Sequence, residues 1–73
     1  MNNKRSVLVY YIDKDSCIFD VFLMQDVRDA KGFIKFIKED KEHVKILNEC
    51  SIVKAEIWEL KLGSSKKLSS HKI

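Results

Sequence analysis

Two histidines, two cysteines and three closely spaced aspartates are the residues of this 73-residue chain that could do chemistry. A catalytic histidine needs a nucleophile or an acid held within hydrogen-bond reach. His43, inside EDKEHVK, and His71, near the basic end, have no Ser, Cys or Asp whose spacing vouches for such a pairing, so both are expected on the surface. Cys17 and Cys50 lack C-x-x-C spacing and have no histidine at metal-ligand distance in sequence; buried structural thiols are the expectation. Asp13, Asp15 and Asp20 cluster at what reads as a turn, without the spacing or the glycine of a calcium loop, which makes them a solvated turn. Two isolated glycines provide no phosphate cradle. No catalytic residue, metal site or cofactor is expected, and the chain is not expected to be an enzyme.

Cations offer a different chemistry. Arg28, Lys31, Lys35 and Lys38 recur at three, four and three residues, so on a helix they form a basic stripe that Lys45 extends, with Lys66 and Lys67 as further phosphate contacts. Asp29, Glu39, Asp40 and Glu42 interrupt that surface. The formal charge of +3 comes entirely from the last eleven residues, GSSKKLSSHKI, because the rest carries acids and bases in equal number. A neutral body with a basic end argues less for nucleic acid than a basic body would.

The elements that must position these groups follow from periodicity. Ser6 to Asp13, SVLVYYID, reads as a strand, KDS as a turn, and Cys17 to Gln25 as a second strand closing an antiparallel hairpin. Asp26 is an N-cap with Asp29 three residues on; Val27, Ala30, Phe33, Ile34 and Ile37 then make one apolar stripe on a helix from about Val27 to Asp40. Gly32 inside it suggests a close approach of helix to sheet. Val44 and Leu47 continue the stripe, either on the same helix or on a second short one after a break at Asp40 to Glu42. Ser51 to Leu62 is the last long strand and Gly63 ends it.

The expectation is therefore an α+β fold in strand, strand, helix, strand order: a three-stranded sheet with one main helix on one face. Residues 1–63 form one compact domain, the third strand lies parallel to a strand of the hairpin, and residues 64–73 are a disordered basic tail. No apolar run is long enough to span a membrane, and the opening MNNKRSVLVYYIDKD lacks the apolar core and cleavage site of a leader. A cytoplasmic protein with no membrane partner is expected.

Supply and demand for burial do not balance. Both sides of the hairpin strands are apolar, and one helix can cover only one side. The last strand changes phase halfway: Val53, Ala55 and Ile57 alternate, then Trp58, Leu60 and Leu62 take over. A β-bulge at Ile57 and Trp58 would keep both in the core; otherwise the second set serves a second surface. The two-sided hairpin favours the second surface, with Tyr10, Ile12, Phe22, Met24, Trp58, Leu60 and Leu62 as its interface residues. The first function expected is protein binding through that surface, with the chain itself as partner in a homodimer.

In size and plan, a tiny motif-free chain of this kind resembles the accessory proteins with which phages and other mobile elements block host enzymes. That resemblance implies an inhibitor whose further partner is a host defence or nucleic-acid enzyme. Two other functions remain open: a nucleic-acid binder using the basic stripe, and an oligomer enclosing a small ligand such as a nucleotide near Tyr11, Arg28 or Lys61.

Overall fold

A computed structural model describes residues 6–73; residues 1–5, the first part of the stretch read above for a leader, lie outside the described residues. The chain runs β1 (Val7–Asp13), β2 (Ile18–Met24), α1 (Val27–Glu39), α2 (Lys41–Glu49), β3 (Ile52–Glu59) and β4 (Lys66–Lys72). One antiparallel sheet of order β2-β1-β3-β4 forms a layer, and both helices lie on one side of it.

The α+β class and the hairpin of β1 and β2 agree with the expectation; strand number, order and pairing do not. The sheet has four strands, because the segment expected as a disordered tail forms β4 on the free edge of β3. β3 pairs antiparallel with β1 instead of lying parallel beside a hairpin strand. Its direction matches that of β2, but β1 sits between them. β1 from Val7 to Ile12 carries no charge, whereas β2 carries Asp20, so β1 is the hairpin strand better suited to the interior of the sheet.

Side chains from β1 and β3 meet the helices in one core. Val7, Val9 and Tyr11 pack with Ala55, Ile57 and Ile52, and beneath them lie Ala30, Ile34 and Ile37 of α1 and Leu47 of α2. Val9, Ile37, Leu47 and Ile57 are fully buried, each contributing roughly 1.5–3 kcal/mol of transfer free energy. Phe22, Met24, Val27, Phe33 and Ile73 surround them.

Asp26 caps α1 by accepting the Asp29 N–H at 2.9 Å. Asp40 is the break anticipated in the helical stripe: its N–H closes α1 on the Phe36 carbonyl at 2.9 Å, and its carboxylate opens α2. That carboxylate accepts the backbone N–H of His43 at 3.1 Å and its ring Nδ1–H at 2.9 Å. The bond to the ring and the bond to the backbone hold Asp40 below its ordinary value, so capping persists at mildly acidic pH. Gly32 makes no close approach to anything; a side chain there would point into open space.

Candidate functional site

Residue-for-residue register across the four strands defines the sheet face that no helix covers. One row reads Leu23, Leu8, Trp58 and Lys67; the next Val21, Tyr10, Glu56 and Ser70; the third Ile18, Ile12, Lys54 and Lys72. Across the rows the face passes from wholly apolar on β2 and β1 to polar and basic on β4. Ile18, Val21 and Leu23 are 58%, 45% and 44% exposed, while Ile12, on the same face, is buried without belonging to the helix-side core.

On β3 the face is rigidly organised. Trp58 and Tyr10 meet edge to face with ring centroids 5.6 Å apart, and the indole Nε1–H donates to Glu56 Oε1 at 3.0 Å. Lys54 Nζ lies 3.2 Å and Lys67 Nζ 3.7 Å from Glu56 Oε2. Burial alone would push the Glu56 carboxyl up, but the Trp58 and Lys54 hydrogen bonds and the two lysine charges outweigh it and hold it below the ordinary value. A nearly buried carboxylate thus pairs with both lysines, offsetting one of their two charges, and fixes the tryptophan ring between the apolar and basic halves.

The phase change at Trp58 is resolved by this register. β3 pairs with β1 without interruption from Glu59 to Lys54, so Ile57 and Trp58 point to opposite faces. An irregularity does occur at Ile57 and Trp58, but the extra residue is Leu68 on β4. A second bulge, opposite Ile12 and Asp13, turns Val53 outward and puts Ile52 into the core where Val53 was expected.

Tyr10, Ile12 and Trp58 therefore lie on the open face. Leu60 follows the end of β3 and is 45% exposed, and Leu62 stands fully exposed in the connection to β4. Phe22 and Met24 sit on the other side, packed on the core beneath the helices, while Leu8, Ile18, Val21 and Leu23 occupy the face instead. Asp20, in phase with Phe22 and Met24, does not mark their side of β2 as the outer one. Asp20 pairs with Tyr11 near the turn, past a bulge at Phe19, where it reaches water from the helix side of the sheet.

A second site lies on the helix side. Lys31, Lys35, Lys38 and Glu39 of α1 line an open groove of about 440 Å³ with Ile34 at its base and His71 of β4 as its other wall. His71 faces this side because it pairs with Ala55, and its Nε2 lies 2.9 Å from the Ser69 hydroxyl. Arg28, from the same stripe, is exposed but outside the groove. His71 was expected in a tail, so nothing in the sequence joined it to those lysines.

The remaining candidates have structural places. Asp13 Oδ1 accepts the N–H groups of Asp15 and Cys17 at 2.9 and 3.0 Å, fixing the β1–β2 turn. Cys17 is exposed in that turn, contrary to the buried thiol expected, because the turn stands clear of the helices; Cys50 is half-buried. Tyr11 stacks among Phe22 and Phe33, and burial, then the nearby Asp20 carboxylate, pushes its phenol up to about 12. It is a core residue, unavailable to line a ligand site, and Lys61 is engaged with Glu59 at 3.5 Å. His43 packs edge to face on Phe36. Among the described residues no group of His, Cys, Asp and Glu is placed to hold a metal ion, and no helix is long and apolar enough to cross a membrane.

Comparison with protein-family models, with curated proteins and with solved structures finds no match to this chain.

Proposed function

We propose that the chain is a non-catalytic protein-binding module whose open sheet face packs on the same face of a second copy. The observation that carries this is the unbroken apolar half of that face: Leu8, Tyr10, Val21 and Leu23 in adjacent register, flanked by Ile18, Ile12 and Trp58. Contiguous apolar surface of this kind marks interaction sites, and aligned sheets pack at about 10 Å through such faces.

Edge-to-edge pairing is less favourable at both ends of the sheet. On β2 the Asp20 carboxylate already takes the Val21 N–H at 2.8 Å and Phe19 bulges the strand; on β4 lysines crowd the edge. These are the devices by which edge strands avoid further pairing. Face-to-face stacking about a two-fold axis parallel to the strands, passing between β2 and β1, superposes the apolar halves and sends the two basic β4 edges to opposite sides.

Sedimentation at micromolar concentration is expected to show a dimer for the unaltered chain and a folded monomer for Tyr10→Lys combined with Leu23→Lys. A monomer in the unaltered chain would falsify the homodimer. The face would then belong to a foreign protein, the host enzyme that the chain's size and plan imply being the first to try.

A further inference from the structure

We propose that the groove between α1 and β4 binds the sugar-phosphate backbone of a nucleic acid, on the side of the sheet opposite the dimer face. Lys31, Lys35 and Lys38 of α1 face His71 of β4 across it, so two basic segments from distant parts of the chain converge on one concavity. None of the three ammonium groups has an ion-pair partner among the described residues, a property shared with Lys14, Lys41, Lys45, Lys66 and Lys72; what sets these three apart is that they line one concavity. Glu39 is the single acid in the lining. Three lysines against one acid leave the lining net positive, and an anion in the groove relieves the repulsion among them.

The shape selects the class of anion. Positions 31, 35 and 38 rise about 10 Å along the helix axis, which sets the cations in a row suited to successive phosphates. A mononucleotide site would need enclosing walls and groups that orient a base. This groove is open, its base is the aliphatic Ile34, and its only ring is the His71 imidazole, so bases have no stacking platform and the reading is independent of sequence.

The test is fluorescence anisotropy with a labelled mixed-sequence oligonucleotide, as single strand and as duplex, over a salt series. Binding is expected with a slope of log K on log salt of about −2 to −4, for three or four phosphate contacts. Lys31→Gln/Lys35→Gln/Lys38→Gln should weaken binding at least about tenfold and flatten the slope. His71→Gln should weaken it by a smaller factor. A control of equal charge, Lys14→Gln/Lys41→Gln/Lys61→Gln, should stay within about threefold of the unaltered protein.

Whichever oligonucleotide binds more tightly identifies the strand form used. Three outcomes overturn the proposal: no binding by the unaltered chain, equal loss in both triple variants, or displacement of the oligonucleotide by inorganic phosphate as readily as by unlabelled strand. Sedimentation of the groove variants should match the unaltered chain, so failure of this site is distinguishable from failure of the dimer face.

Discussion

Lysines meet opposite fates on the two sides of the sheet. On the open side Lys54 and Lys67 converge on Glu56, and the carboxylate also holds Trp58 in place, while Lys72, at the outer β4 corner of that face, has no ion-pair partner among the described residues. On the helix side Lys31, Lys35 and Lys38 stand along their groove without an ion-pair partner among the described residues. Paired charge beside aromatic and aliphatic rows suits contact with another apolar face better than unpaired cations, which would be costly to desolvate. Unneutralised charge in a concavity suits an anion. The difference teaches that pairing, more than the number of lysines, separates a surface built for burial from one built for phosphate.

The contrast between the faces can be broken first at the core. Ile57→Ala, on the helix side, should cost about 3–4 kcal/mol in urea unfolding, whereas Ile18→Ala on the open face should cost under about 1 kcal/mol, both measured on the monomeric Tyr10→Lys/Leu23→Lys background. Similar losses in the two variants would mean that the open face is packed within a single chain.

Glu56→Gln comes next in size. It leaves two lysines unpaired beside the indole and should destabilise by about 1–2 kcal/mol at neutral pH. Its pH dependence has a definite sign. The folded carboxyl sits below its ordinary 4.5, so its stabilisation is complete above that value and is lost as pH falls through the folded one. The gap between the unaltered chain and Glu56→Gln should therefore shrink as pH is lowered through that range. A constant gap would show that the network acts through packing alone. Asp40 contributes with the same sign in both proteins and cancels from the comparison.

The smallest effect expected is a gain. Gly32 is exposed, helical and clear of neighbours, so Gly32→Ala should raise stability by about 0.5–1 kcal/mol without altering oligomeric state or the groove's affinity. A loss there would point to a contact made only in an assembly.

Legibility followed the range of the forces involved. α1 was readable because its stripe, its Asp26 cap and its stop at Asp40 all act within a few residues. The surplus apolar side of the hairpin was readable too, since alternation along a strand is local. β2 was read in the wrong phase because which of its sides joins Tyr10 depends on cross-strand register and on the bulge at Phe19. β4 was missed altogether: KKLSSHK has neither alternation nor strong strand formers, and what holds it is the ladder offered by the edge of β3, together with Ile73 against the core.

By itself, then, the sequence determined the hairpin, the two helices' apolar stripe and the fact that one sheet face would lack cover, because each is set by spacing along the chain. Tertiary structure alone decided that β3 would join β1, that Glu56 would stand between two lysines, and that His71 would close a groove on Lys31, Lys35 and Lys38. Those arrangements depend on backbone groups and charges brought together from distant segments, and periodicity carries no information about distance in space.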